Sequence, residues 1–192
     1  VNIRASAQGA SERNISAVIH KKDVKKALNC LHESFFEENV KQLNLFVMGV
    51  GNVGAKFLGQ LKTQQAYLKK ELRINARVIG LSNSKRMIFN DDGIDLANWQ
   101  DFLANGSDTS IEGFIKAVNE HNLRNSIFID ITASEVVAKT YSQYLDKNVA
   151  VVTCNKIACS SDLASYKNLK RLSKQYNAPF LFETNVGAGL PI

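Results

Sequence analysis

Residues 43–54 read Leu43-Asn44-Leu45-Phe46-Val47-Met48-Gly49-Val50-Gly51-Asn52-Val53-Gly54. An apolar run of strand length ends in G-x-G-x-x-G, and an amphipathic stretch follows from Val53 to about Lys70. Strand, glycine turn and helix in that order are the setting in which this pattern holds a dinucleotide. Gly49 allows the tight turn, Gly51 lets the backbone approach a pyrophosphate, and Gly54 lets the helix pack close to the strand. The amino end of the helix offers free N–H groups and a partial positive charge to the phosphates. The competing reading is a structural strand-to-helix turn with no ligand.

Further apolar runs follow at Ala76–Leu81, Ser126–Ile131, Val149–Thr153 and Phe180–Phe182. Helical patterns lie between them at Ile111–Asn122, Glu135–Lys147 and Asp162–Tyr176. Near-continuous apolar strands separated by helices predict a parallel sheet covered on both faces. The predicted fold over 43–192 is therefore α/β, a doubly wound (Rossmann-type) parallel sheet. Lys85–Ser110 breaks the alternation, with Asp91-Asp92-Gly93 and Asn105-Gly106 as turn signals. Upstream, Asn2–Ala7 and Ile15–His20 read as strands about the turn residues Gln8–Glu12. Lys22–Phe36 then puts Val24, Ala27, Leu28, Leu31 and Phe35 on one helical face. With no strand before the first, 1–42 reads as the back part of a small α+β unit.

The 192 residues, 45% hydrophobic and 22% charged, suffice for one domain plus a piece of another. That composition excludes disorder, collagen and a disulfide miniprotein. Of the net charge of +6, residues 1–42 carry +2 (7 positive, 5 negative) and 43–192 carry +4 (17 positive, 13 negative). Basic residues are not interleaved with aromatics, so nucleic acid is not an expected partner, while the surplus suits a phosphate-bearing ligand. The apolar runs fall short of the roughly 20 residues of a membrane span, and no signal-peptide pattern opens the chain. No membrane partner is expected. Cys30, Cys154 and Cys159 are odd in number with no CxxC pair, which predicts reduced thiols in the cytoplasm. His20, His32 and His121 lie far apart, so no zinc site is expected.

In open α/β sheets ligands bind beyond the carboxyl ends of the strands. Those ends here are the glycine turn, Asn83-Ser84-Lys85-Arg86, Asp130-Ile131-Thr132-Ala133-Ser134, Thr153-Cys154-Asn155-Lys156, and Glu183 with the glycine-rich run to Pro191. Small or polar residues at every end predict one cleft. A carboxylate after the second strand would hold the ribose hydroxyl of NAD. Instead, Lys85 and Arg86 stand there and suit the 2′-phosphate of NADP, with Asn83 and Ser84 as donors, although NAD remains usable. Thr132 and Ser134 offer hydroxyls to the nicotinamide half; the bland readings are a strand residue and an N-cap. Lys156 is placed to meet the carboxamide, the ribose or the substrate. Glu183 with inward carbonyls suits a hard cation, or is a plain structural acid.

These segments resemble homoserine dehydrogenase from about 43 to 192, most specifically in Glu183–Pro191 (ETNVGAGLP) with the upstream Asn155-Lys156. Asn2–Ser16 (NIRASAQGASERNIS) resembles the end of the regulatory ACT region of an aspartokinase. Both together resemble a bifunctional aspartokinase–homoserine dehydrogenase. The resemblance implies NAD(P)H-dependent reduction of aspartate 4-semialdehyde to homoserine, with a small-molecule substrate, in amino-acid biosynthesis. It implies cofactor contacts at Gly49, Val50, Gly51, Asn52, Val53, Gly54, Asn83, Ser84, Lys85, Thr132, Ala133, Ser134 and Lys156, the last with a possible catalytic part. It implies a monovalent-cation (Na+) site at Glu183 and the carbonyls of Val186, Ala188 and Leu190, and an amino-acid effector surface about Gln8. The full-length protein is expected to be a homo-oligomer. The principal catalytic residues are expected beyond Ile192 and the kinase before Val1, so the chain alone is expected to bind cofactor with little turnover. Two other functions fit the same residues: a non-catalytic dinucleotide and amino-acid sensor, and a dehydrogenase of another amino-acid-pathway substrate.

Overall fold

Strand β3 (Lys41–Met48) is buried on both faces, with Leu45 and Val47 in one apolar cluster and Phe46 and Met48 in another. The polar interruption at Asn44 is satisfied: its Nδ2 donates to the Arg124 carbonyl at 2.6 Å and its Oδ1 accepts from Arg77 at 2.8 Å. The computed structural model describes residues 2–9, 14–36 and 40–182.

Among these, β3 pairs in parallel with β4 (Ile74–Ser82) on one side and β7 (Ser126–Asp130) on the other. Strands β8 (Ala150–Thr153) and β9 (Phe180–Phe182) continue the parallel array beyond β7. The expected five parallel strands are therefore present, in the order β4-β3-β7-β8-β9. The irregular segment adds two strands that the apolar pattern did not predict, β5 (Arg86–Phe89) and β6 (Ser107–Asp108), both antiparallel at the β4 edge. Asn83 causes the reversal: its Oδ1 accepts from the backbone N–H groups of Lys85 and Arg86 at 2.8 and 2.7 Å, closing an Asx turn. Strands of four and two residues are too short to carry a readable alternation.

Helix α2 (Asn52–Glu71) and the short α3 (Trp99–Ala104) lie on one face, where Leu58 and Leu103 pack with Val47, Val78 and Leu81. Helices α4 (Ile111–His121), α5 (Glu135–Ala138), α6 (Tyr141–Leu145), α7 (Ile157–Ser160) and α8 (Leu163–Gln175) cover the other. There Phe114, Tyr144 and Leu172 meet Phe128, Val151 and Phe180, and the Phe128 and Tyr144 rings stack at 4.0 Å. The single helix expected over Glu135–Lys147 is two. Thr140 folds its hydroxyl back to the Val137 carbonyl at 2.7 Å, and its N–H goes to the same oxygen, which tightens and bends the turn. The bend aims Tyr141 at the end of β7.

Chain direction across the sheet reverses between β3 and β7, because β3 leads out to β4 and the chain then crosses back to β7. A crevice opens at their carboxyl ends, the place where such sheets take ligands. Upstream, β1 (Ile3–Gln8) and β2 (Ile15–Ile19) form an antiparallel pair, followed by a 3-10 turn at Lys21–Asp23 and α1 (Val24–Phe36). Two long hydrogen bonds join this unit to the end of α4: Lys26 Nζ to Asn122 Oδ1 at 3.5 Å, and Asn122 Nδ2 to the Lys22 carbonyl at 3.4 Å.

Candidate functional site

The glycine turn follows β3 and is held by the neighbouring strand: the N–H groups of Gly49 and Val50 both donate to the Ser82 carbonyl, at 2.8 and 3.0 Å. Gly49 has φ +100°, and a Cβ there would lie 2.6 Å from the Ile131 backbone. A Cβ on Gly54 would lie 2.6 Å from the Gly49 carbonyl, so α2 sits as close to the turn as glycine permits. Gly51 differs, since a Cβ there meets nothing within 4 Å. Among the described residues no atom requires glycine at 51. The open space above it, beside the unpaired N–H groups that begin any α-helix, fits the pyrophosphate of a dinucleotide.

One cleft of about 750 Å³ gathers Gly49, Val50 and Gly51 with Asn83, Ser84 and Lys85 on one side and Thr132, Ala133 and Ser134 on the other. Three strand ends far apart in the chain thus converge. On the first side the Asn83–Arg86 loop is pinned by Thr109, which the sequence reading missed. Thr109 Oγ1 donates to the Asn83 carbonyl at 2.9 Å, and its N–H donates to the Lys85 carbonyl at 3.0 Å. Asn83 Oδ1 is spent on the Asx turn, so what its side chain has left to offer is the donor Nδ2. The two expected cations separate: Lys85 lines the cleft, while Arg86 turns to Asp108 at 2.8 Å and the Gly106 carbonyl at 3.3 Å. Strand pairing of β5 with β6 takes Arg86 away.

On the second side, Ser134 Oγ accepts from Val137 N–H at 3.4 Å and so caps α5, while Thr132 Oγ1 accepts from Ser134 N–H at 3.1 Å. Both hydroxyls keep a proton to donate. Beneath them Asp130, fully buried, accepts from Thr132 N–H at 2.7 Å. The sequence places Asp130 at a strand end but gives no sign of the partners that it collects there. Asn52 and Val53 stand exposed in the first turn of α2, and Val53 lines an adjoining groove of about 610 Å³ over β7–β9 rather than the cleft. Lys156 is exposed at the start of α7 and is not part of the cleft wall. Glu183, Val186, Ala188 and Leu190 lie outside the described residues. Gln8 is exposed at the end of β1. Another cavity, about 680 Å³ with Lys22, Lys26, Asn122 and Lys147 in its wall, lies at the amino ends of the strands, the wrong end for a dinucleotide.

The family model described as homoserine dehydrogenase, NAD binding domain, matches residues 49–183. The chain belongs to this family. An ACT domain model matches residues 1–35. Among relatives of this homoserine dehydrogenase domain, the chloroplastic bifunctional aspartokinase/homoserine dehydrogenase 2 of Arabidopsis thaliana is 39% identical over all of the chain. The bifunctional aspartokinase/homoserine dehydrogenase of Haemophilus influenzae is 37% identical, also over all of it. The chain spans 21% and 23% of these two relatives' lengths. A hyperthermophilic archaeal homoserine dehydrogenase in complex with NADPH shares the fold, with TM-score 0.63 and 22% identity over 79% of this chain and 41% of that one. A Candida auris protein of unknown function superposes with TM-score 0.64 and 27% identity over 79% of this chain and 41% of that one. Among the described residues no helix is long and apolar enough to cross a membrane.

Proposed function

We propose that the chain holds NADP(H), and NAD(H) less tightly, for a homoserine dehydrogenase within a longer polypeptide that also carries an aspartokinase. The observation that carries this reading is the open cradle over Gly51 with Lys85, and no acid among the described residues, in the wall of the same cleft. Gly51 and the amino end of α2 bind the pyrophosphate, with Val50, Asn52 and Val53 about it and Gly49 and Gly54 shaping the turn. Lys85, Ser84 and the Nδ2 of Asn83 bind the 2′-phosphate, a charge-assisted contact that NADH does not offer. Thr132, Ala133 and Ser134 orient the nicotinamide half. When bound, the reduced nicotinamide supplies a hydride to the aldehyde carbon of aspartate 4-semialdehyde, giving homoserine. Lys156 is assigned to meet the carboxamide, the ribose or the substrate oxygen.

The rest of the reading rests on the resemblance and the relatives. Residues 1–42 end an ACT-like regulatory region that presents Gln8 to an amino-acid effector, and 43–192 are the dinucleotide domain. Glu183 with the carbonyls of Val186, Ala188 and Leu190 takes a monovalent cation such as Na+. The whole protein acts as a cytoplasmic homo-oligomer.

Calorimetric titration of NADPH and NADH into the chain tests the reading. Both bind, NADPH more tightly, and Lys85→Ala lowers NADPH affinity about tenfold while leaving NADH within about twofold. A folded sample that binds neither nucleotide would overturn it.

A further inference from the structure

Asp130 ends β7 with no exposed surface, and three neutral groups from three different segments converge on it. Its Oδ1 accepts from Thr132 N–H at 2.7 Å. Its Oδ2 accepts from the Tyr141 hydroxyl at 2.5 Å and from Asn155 Nδ2 at 3.1 Å. The bonds continue outward in a single consistent sense. Thr153 Oγ1 lies 2.8 Å from the Tyr141 hydroxyl and accepts from Asn155 N–H at 2.8 Å. Asn155 Nδ2 also donates to the Ser134 carbonyl at 3.0 Å, and its Oδ1 accepts from Ile157 N–H at 3.1 Å. Burial and the Asp130 charge push the Tyr141 phenol up, which keeps it a donor to the carboxylate.

We propose that Asp130 is a positioning residue that locks the Thr132–Ser134 loop and the Asn155–Lys156 loop into one unit and so shapes the nicotinamide half of the cleft. The inference rests on the dinucleotide reading. A carboxylate is an expensive group to bury where packing alone is needed, since a buried charge demands that every acceptor site be filled. Here two of the three donors belong to the two loops that this reading assigns to the nicotinamide end, and the third, Tyr141, comes from α6. The adenine side has its own anchor, Thr109 on the Asn83–Arg86 loop, which among the described residues makes no hydrogen bond to Asp130. The two halves of the cleft are therefore held independently. Loss of the carboxylate acts on one of them.

That independence gives the test. Adenosine 2′,5′-bisphosphate probes the adenine half alone, and NADPH probes both halves. In calorimetry on the chain, Asp130→Asn lowers NADPH affinity about tenfold or more, because the introduced amide opposes the Asn155 amide, and leaves the bisphosphate within about twofold. The emission of bound NADPH, which reports the surroundings of its nicotinamide ring, falls toward that of free NADPH. Tyr141→Phe keeps the ring in the core and removes one donor, so it shifts NADPH in the same direction by less and decides the matter if Asp130→Asn does not fold. Equal loss of both ligands, or unchanged NADPH affinity and emission in the folded variants, overturns the role of Asp130. Failure of the unsubstituted chain to bind either ligand overturns the dinucleotide reading and, with it, this proposal.

Discussion

Gly49 and Gly51 stand two residues apart and are required for different reasons. Gly49 is a demand of the protein: positive φ and a backbone neighbour at 2.6 Å leave no place for a methyl group. Gly49→Ala is expected to cost about 2 kcal/mol or more, read as a lower denaturation midpoint. Gly51, at φ −97° with open space above it, is a demand of the ligand. Gly51→Ala is expected to leave the midpoint in place and lower NADPH affinity about tenfold or more, since the methyl occupies the pyrophosphate's approach. Equal effects of the two substitutions on stability would refute that division. Tyr144 poses the opposite question, because its buried hydroxyl has no hydrogen-bond partner among the described residues while its ring stacks on Phe128. Tyr144→Phe is expected to be neutral or to stabilise by about 1 kcal/mol in denaturant unfolding.

Helix α8 is capped by Asp162, whose Oδ1 accepts from Ser165 N–H at 2.8 Å. Hydrogen bonding to Ser165 holds the Asp162 carboxyl below its usual range. A carboxyl lowered in the folded state stabilises at pH values above its unfolded pKa, and that contribution is lost as pH falls through the folded value. Asp162→Asn, a cap that does not titrate, is therefore expected to flatten the acid side of the melting profile; an unchanged profile would show that the cap does not matter. Capping signals of this kind are local and legible, as Ser134 shows: an N-cap is one reading of it in the sequence, and its Oγ accepts from Val137 N–H ahead of α5. The division of 135–147 into two helices was not legible. Every residue there fits one helix, and the break depends on a threonine hydroxyl turning back to a carbonyl three residues away. Strands β5 and β6 escaped notice for a related reason, since pairing with β4, not their own pattern, makes them strands.

Across the domain the positive surplus of the sequence meets the cleft at one described cation of its wall, Lys85. NADPH carries a phosphate that NADH lacks, so its binding is the more sensitive to screening. Raising NaCl from about 0.05 to about 0.5 M is expected to weaken NADPH more steeply than NADH. Parallel slopes would show that no cation of the chain meets the extra phosphate. The sheet order supports the placement, because the reversal between β3 and β7 sets Lys85 on one flank of the glycine turn and Thr132–Ser134 on the other.

What residues 43–54 encode is local and needs no partner: an apolar run makes a strand, three glycines make a turn, and a 3.6-residue period makes a helix. From these and the later strands the parallel sheet, its buried faces and the end that takes a ligand follow directly. Which side chains meet at that end is a different matter. Lys85 and Arg86 are neighbours in the chain with the same charge, yet strand pairing gives one to the cleft and the other to Asp108. Thr109 reaches a loop more than twenty residues behind it, and Asp130 collects donors from residues 132, 141 and 155. Those contacts exist only after the crossovers have closed. Periodicity and turn chemistry act over a few residues, whereas hydrogen bonds between strand ends are set by how the helices pack the sheet.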